Sequence, residues 1–251
     1  MPSGFFSNIK ILQCGTVAST NVLAWNRLKT GSAGHGNIFQ ADYQLSGKGQ
    51  AETAWYASAG CNLLCSLVIK DQPIKAVDLP KVNMLLAMAV YGVVNKTFPG
   101  RTHIKWPNDI MVDGHKIAGL LIETTLQGAY VKEIVCGIGL NINEPNFPEY
   151  LPNACSYFTL TGQYFNIEDI LAQLVEEFDH QLSRLVNLEF KHIKYEYDKR
   201  LFGFNELRNF KVFNQTINGK IAGISASGQL ILEAGNQLLY FNNKEIQFDF
   251  S

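Results

Sequence analysis

His103-Ile104-Lys105-Trp106-Pro107-Asn108-Asp109-Ile110-Met111-Val112-Asp113-Gly114-His115-Lys116-Ile117-Ala118-Gly119-Leu120-Leu121-Ile122-Glu123 is the stretch on which the reading of this sequence turns. Ile110, Met111 and Val112 make an apolar strand. Asp113-Gly114 is a two-residue turn signal, because both central positions of a type I′ turn need positive φ. Ile117 to Ile122 supplies the return strand. Pro107 has no N–H to give to a central ladder, so the chain bends or lies at a sheet edge there. A turn alone does not require Lys105, Trp106, Asn108, Asp109 and Lys116. Two lysines and a carboxylate beside apolar strands suit an anion and a nucleophile. A solvated hairpin with ordinary surface charges accounts for the same pattern.

The flanking segments read as a mixed α/β chain. Residues 9–14 form a first strand. Ser19-Thr20-Asn21 precedes the helical run Val22 to Leu28, with Ser19 or Thr20 as its N-cap. A second strand, Ile38 to Gln44, runs into Gly47-Lys48-Gly49-Gln50-Ala51-Glu52. Glycines on both sides of a lysine let backbone N–H groups turn toward an anion. The spacing is not that of a Walker A loop. Cys61 to Ile69 is a buried strand, and Pro80 opens a long apolar core helix that runs to Lys96. In Val131 to Asn143, Gly137 and Gly139 superficially suggest a dinucleotide turn. The third glycine is missing and Pro145 stands where a helix would start. Small residues alternating with apolar ones instead favour a strand packed closely against a ligand.

From Ile167 the apolar residues recur at three and four through Leu185, which is a core-facing helix with Glu168 and Asp169 in its first turn. A further helix is expected over Lys191 to Leu201. The last ~45 residues change character. Val212–Ile217, Gly219–Ile224, Gln229–Leu232 and Gln237–Phe241 are short alternating runs, separated by Asn218-Gly219, Ser227-Gly228 and Gly235-Asn236. They predict a small all-β barrel. The division is therefore 1–205 for an α+β domain and 206–251 for the barrel.

Composition narrows the function classes. The chain has 251 residues, 47% hydrophobic and 17% charged, with 21 basic and 22 acidic side chains and a net charge of −1. That balance argues against non-specific binding to nucleic acid or anionic membrane as the main task. The longest apolar run, Met84 to Val94, is too short to span a bilayer, and the N-terminus lacks a signal-peptide pattern. Five cysteines without zinc-type pairs point to a reducing compartment, so the cytoplasm is expected. Cys61 and Cys65 read as buried small hydrophobes. His35, His103, His115, His180 and His192 are scattered, and no metal site is expected.

Lys105-Trp106-Pro107-Asn108-Asp109, followed at fixed spacing by Lys116-x-x-Gly119 and its strand to Glu123, resembles the central signature of biotin–protein ligases. The similarity covers nearly the whole chain, with four motifs in family order. It implies an α+β fold, a mixed β-sheet with flanking helices, followed by a small C-terminal SH3-like β-barrel. The implied activity is two-step: ATP activates the biotin carboxylate as biotinyl-AMP, then a lysine of a biotin carboxyl carrier protein domain attacks it. ATP, biotin and Mg²⁺ are the expected cofactors and substrates. The family carries a DNA-binding form, and the short stretch before Ile9 suggests the enzyme-only form, with no DNA or membrane partner. The resemblance leaves a homodimer open, with no interface stretch identifiable.

Carried over residue by residue, the resemblance makes Lys116 the bridge between the biotin carboxylate and the α-phosphate. It makes Asp109 the group that orients the incoming lysine, and Lys48 the cation that folds over the intermediate. Ser19, Thr20, Asn21, Gln44, Gly47, Lys48, Gly49, Gln50, Lys116, Gly119, Gly137 and Gly139 are expected around biotin. Lys48, Gly49, Gln50, Trp55, Lys105, Asn108, Lys116 and Asn141 are expected around ATP. The phosphate loop departs from the family's usual Gly-Arg-Gly-Arg-x-Gly: Lys48 keeps the first cation, Gln50 replaces the second, and Glu52 replaces the last glycine. A lipoate–protein ligase of the same superfamily, a cysteine-dependent acyl transferase and a non-catalytic biotinyl-AMP sensor are the alternatives. Cys136, beside Gly137 on an apolar strand, is the thiol that would have to serve in the acyl transferase.

Overall fold

The computed structural model describes residues 4–6, 8–50, 53–213 and 215–249. The chain runs β1 (Lys10–Gln13), β2 (Thr16–Val17), α1 (Thr20–Lys29), β3 (Asn37–Ala41), β4 (Tyr43–Gln44), β5 (Leu63–Lys70), α2 (Leu79–Thr97), β6 (Thr102–Lys105), β7 (Asp109–Val112), β8 (His115–Gln127) and β9 (Tyr130–Leu140). Helices α3 (Tyr157–Thr161), α4 (Ile167–Asn187) and α5 (Phe190–Asp198) follow, then β10 (Leu207–Val212), β11 (Gln215–Ile224), β12 (Leu230–Ala234), β13 (Gln237–Phe241) and β14 (Ile246–Phe248).

Seven strands make one sheet in the order β1-β3-β5-β9-β8-β7-β6. The β1–β3 pair is parallel and the other pairs are antiparallel, so the sheet is mixed as expected. Period-two alternation decides what each face carries. Leu63, Cys65, Leu67 and Ile69 of β5, with Ile134, Cys136, Ile138 and Leu140 of β9, enter the main core with α2. Val68 and Val135 point the other way, against Ala24 and Leu28 of α1. Covered on both faces, β5 is buried almost throughout, which is why its sequence is a continuous apolar run. Helix α2, with the turn before it, is long and apolar enough to cross a membrane. Here its surface is covered by the sheet and by α4.

The central hairpin forms as its turn residues require, with Asp113 at φ 51° and Gly114 at φ 80°. Strand β6, which leads into Pro107, ends the sheet. Its Ile104 is bridged by the segment after α5: the Ile104 N–H donates to Arg200 O (2.7 Å) and the Phe202 N–H donates to Ile104 O (2.8 Å). That segment blunts the edge and delivers the chain to the C-terminal sheet.

The C-terminal sheet is antiparallel, in the order β13-β12-β11-β10-β14. Its core residues Phe210, Ile221, Leu230 and Leu232 belong to the same hydrophobic cluster as α2. One expected turn is wrong. Asn218-Gly219 does not separate two strands but lies inside β11, with Asn218 opposite Asn209 and Gly219 opposite Arg208. Gly219 serves close packing, since a Cβ there would stand 2.7 Å from Glu233 O. The turn instead falls between Val212 and Gln215, where Phe213 takes φ 50°. Strand β14 is a further element that the alternation did not predict, and its three residues are too short for a periodic signal.

Placing Asn218 in mid-strand is testable. Asn218→Thr puts a β-branched residue at an exposed strand position, and stability in urea should stay within about 0.5 kcal/mol of the parent. A loss of about 1–2 kcal/mol would mean that Asn218 sits in a positive-φ turn after all.

Candidate functional site

The site begins with a slip in the hairpin. Asp109 pairs with Gly119 and Ile110 with Ala118, but Met111 pairs with Lys116. In an unbroken register Lys116 would share the face of Ala118, which is fully buried in the core. The bulge takes Ile117 into that core and turns Lys116 to the opposite face, beside Asp109 and Gly119. Lys116 Nζ stands 2.6 Å from Asp109 Oδ1. Its backbone is held by the segment before α3: the Lys116 N–H donates to Asn153 O (2.6 Å) and the Cys155 N–H donates to Lys116 O (2.9 Å). Across β6, Lys105 is opposite Asp109. Burial lowers the Lys105 pKa, Asp109 offsets part of that, and Lys116 lowers it further.

Glycines leave the sheet face beside Lys116 bare. Gly119 and Gly139 are cross-strand partners. A Cβ on Gly139 would lie 2.3 Å from the Trp55 ring, and one on Gly119 would lie 2.9 Å from it. A Cβ on Gly137 would lie 2.3 Å from Asn21 Oδ1. The bare strand face is thus filled by two side chains of the protein itself. Two clefts adjoin here, with Trp55 and Lys116 on the wall of both. Lys116 Nζ is 5.4 Å from the centroid of that indole.

The first cleft runs between α1, the glycine loop and the β8–β9 face. It gathers Ser19, Thr20, Asn21, Gln44, Lys48, Gly49, Gln50, Trp55, Asn108, Lys116, Gly119, Gly137 and Gly139. Among the residues expected around biotin, Gly47 stands back from its wall, packed against Gln44 and Trp55. Ser19 holds the N-cap position, but neither its side chain nor that of Thr20 caps the helix. Gln44 does so instead, its Oε1 accepting the Thr20 N–H (2.7 Å) and the Thr20 hydroxyl (3.2 Å). The short parallel β2–β4 pair brings it there. Asn21 is also committed: its Oδ1 accepts from Ser66 Oγ (2.6 Å) and its Nδ2 donates to Glu123 Oε2 (2.8 Å) and Leu121 O (3.2 Å). Asn108 Nδ2 is likewise given to Leu120 O (2.6 Å). Asn21 and Asn108 therefore shape the cleft by bracing it.

The loop from Gly47 is a small hairpin, closed by Trp55 N–H to Gly47 O (2.9 Å) and Gly49 N–H to Thr53 O (2.6 Å). Ala51 and Glu52 lie outside the described residues. Gln50 reaches across to the C-terminal sheet, its Oε1 accepting from Asn243 Nδ2 at 2.6 Å.

The second cleft is lined by Ala54, Trp55, Tyr56, Lys116, Asn141, Phe147, Leu151 and Ala154. Asn141 Nδ2 is bound to Cys155 O (2.9 Å), but Asn141 Oδ1 is buried without a partner, as is Trp55 Nε1. A buried polar group left unpaired costs about 1–3 kcal/mol. Both atoms are sealed from solvent, Trp55 Nε1 against the bare backbone of Gly139, so what the cleft itself offers is an aromatic wall beside Lys116, which suits a flat heterocycle.

Ser66, Glu123, Tyr56 and Phe147 are site residues that the sequence reading missed. Ser66 had a signal, as the one polar residue in the apolar run Leu63 to Ile69. Thiol chemistry has no support: Cys136 is fully buried and burial pushes its pKa up, while Cys65 is pushed up to about 12. Among the described residues no group of three or more His, Cys, Asp or Glu side chains could hold a metal ion.

Chemically, the site sets a lysine between two adjoining clefts, with a carboxylate beside it and a helix N-terminus and glycine loop facing it. That arrangement suits two anions brought close together, with a carboxylate within reach of an amine. Comparison with known proteins points to one family. The biotin/lipoate A/B protein ligase family matches residues 14–141. The bifunctional ligase/repressor BirA of Bacillus subtilis is 27% identical over 235 residues, covering 92% of this chain and 72% of that protein. The biotin--[acetyl-CoA-carboxylase] ligase of Paracoccus denitrificans is 28% identical over 229 residues, covering 88% and 94%. The fold matches the biotin protein ligase from Aquifex aeolicus in complex with biotin and ATP, with a TM-score of 0.78 at 22% identity over 96% of this chain and 99% of that one. Motif order, site geometry and family match agree, and the chain belongs to the biotin/lipoate A/B protein ligase family.

Proposed function

We propose that this chain is an ATP-dependent biotin–protein ligase, with biotin in the first cleft and ATP in the second. The observation that carries this assignment is Lys116 on the wall common to both clefts. In the first step a biotin carboxylate oxygen attacks the α-phosphorus of ATP. The bond from that phosphorus to the β-phosphate oxygen breaks, and pyrophosphate leaves with the electron pair. Two anions must approach, so the ammonium of Lys116 neutralises the charge they share. Lys48 and the amides around Gly49 close over the phosphate. Trp55 separates the acyl half from the adenine half, which lies against the aromatic wall of Trp55, Tyr56 and Phe147. Mg²⁺ comes as the nucleotide's own counter-ion.

In the second step the amine of a carrier lysine attacks the acyl carbon of biotinyl-AMP. The C–O bond to phosphate breaks, AMP leaves, and the amine gives up a proton. Asp109, already within 2.6 Å of one ammonium, is placed to orient another. The carrier is a biotin carboxyl carrier protein domain. Five cysteines, all unpaired, support a reducing compartment such as the cytoplasm.

The carrier domain incubated with this protein, ATP, Mg²⁺ and biotin should gain the mass of one biotinyl group; a gain with lipoate and none with biotin would overturn the assignment. Lys116→Met should lose at least roughly a hundredfold in pyrophosphate release, the size of one transition-state donor, while remaining folded. Near-normal release would remove Lys116 from the chemistry. Asp109→Asn should impair single-turnover transfer from preformed biotinyl-AMP more than its formation, and equal losses would mark Asp109 as a brace for Lys116 alone. Gln50→Arg restores a forked cation at the loop and should slow release of biotinyl-AMP by roughly tenfold. An unchanged rate would mean that backbone amides and Lys48 suffice.

A further inference from the structure

We infer that Glu144 is a positioning residue for the nucleotide, setting the separation of the walls of the second cleft. This rests on the assignment of that cleft to ATP. Glu144 is 1% exposed. Its Oε2 accepts from the Ser58 N–H (2.7 Å) and from Asn62 Nδ2 (2.7 Å), and its Oε1 accepts from the Ser58 hydroxyl (2.7 Å). Its own carbonyl accepts from Ser156 Oγ (2.7 Å). A buried carboxylate in apolar surroundings is costly unless its oxygens are fully engaged, and these are.

What those bonds connect gives the residue its function. Ser58 stands two residues after Tyr56 and three after Trp55, so the carboxylate fixes one aromatic wall. Ser156 stands two residues after Ala154, so the carbonyl fixes the opposite wall. Asn141 and Phe147 lie three residues to either side of Glu144 on its own segment. Trp55, Tyr56, Asn141, Phe147 and Ala154 border the second cleft. Tyr56 and Phe147 face each other with ring centroids 6.4 Å apart. Asn62 completes the clamp, its Oδ1 accepting the Ile142 N–H (2.9 Å), while the Asn143 N–H donates to Cys61 O (2.8 Å). None of these bonds reaches the Ser19–Asn21 end of the first cleft. Glu144 therefore acts on the nucleotide side, and it does so through Tyr56 and Phe147, which line the second cleft and not the first.

The test separates ATP from biotin. Glu144→Ala should weaken ATP binding by roughly tenfold or more, since about 1.4 kcal/mol corresponds to tenfold and more than one bond is lost. Biotin affinity should stay within about twofold, because its cleft keeps its braces. Ser58→Ala removes one bond and should weaken ATP binding by roughly threefold; it carries the test should Glu144→Ala not fold. Glu144→Gln should rescue, because its carbonyl can accept from the Ser58 N–H and Asn62 while its amide donates to the Ser58 hydroxyl. Calorimetry with ATP alone, and separately with biotin alone, reads both affinities. ATP affinity that is unchanged in the variants, or that falls in step with biotin affinity, would overturn the inference while leaving the ligase assignment in place. A parent protein that binds biotin but no ATP would overturn both.

Discussion

One register slip in the central hairpin places the chemistry. Strand side chains alternate faces, so a lysine two residues before a core alanine would ordinarily point into the core with it. The extra residue at Ile117 takes the buried position and turns Lys116 outward to meet Asp109. The segment 153–155 holds the lysine backbone on both its N–H and its carbonyl, so the bulge is fixed from outside the hairpin as well. The ammonium is therefore set by the sheet, which holds a side chain more tightly than a loop would.

A second constraint follows from what the lysine must reach. Its neighbours Gly119, Gly137 and Gly139 leave the sheet face open to within van der Waals contact of the backbone. Asn21 and Trp55 lie on that opening and make two clefts out of one groove. The clefts are braced independently. Gln44, Ser66 and Glu123 hold the start of α1 around the first, whereas Glu144 and Asn62 hold the segment after Trp55 around the second. Independent bracing lets one substrate site be altered without collapsing the other, and Lys116 and Trp55 remain the points where the two are coupled.

Much of this was legible in the sequence, because the signals were local. Asp113-Gly114 demands positive φ, the alternating glycines of β9 demand close packing, and the heptad-like spacing from Ile167 demands a helix. The failures have a common cause in tertiary context. Asn218-Gly219 has the composition of a turn, yet the glycine is needed where β12 crowds the backbone in mid-strand. Ser19 has the composition of a cap, yet the helix N–H is satisfied by Gln44, two dozen residues away. The bulge could not be read because Ile117 and Ala118 are both acceptable core residues, and hydropathy alone does not say which is extra. Ser66 and Glu144 carry no motif at all, and their importance comes from which hydrogen-bond partners the fold brings to them.

The central claim is that Lys116 stands between the two reacting anions. The most direct measurement is a crystal structure of the protein with biotin and a non-hydrolysable ATP analogue. The account predicts Lys116 Nζ within hydrogen-bonding distance, about 2.7–3.2 Å, of both a biotin carboxylate oxygen and an α-phosphate oxygen. A structure with both ligands bound and Lys116 still turned to Asp109, touching neither anion, would contradict it.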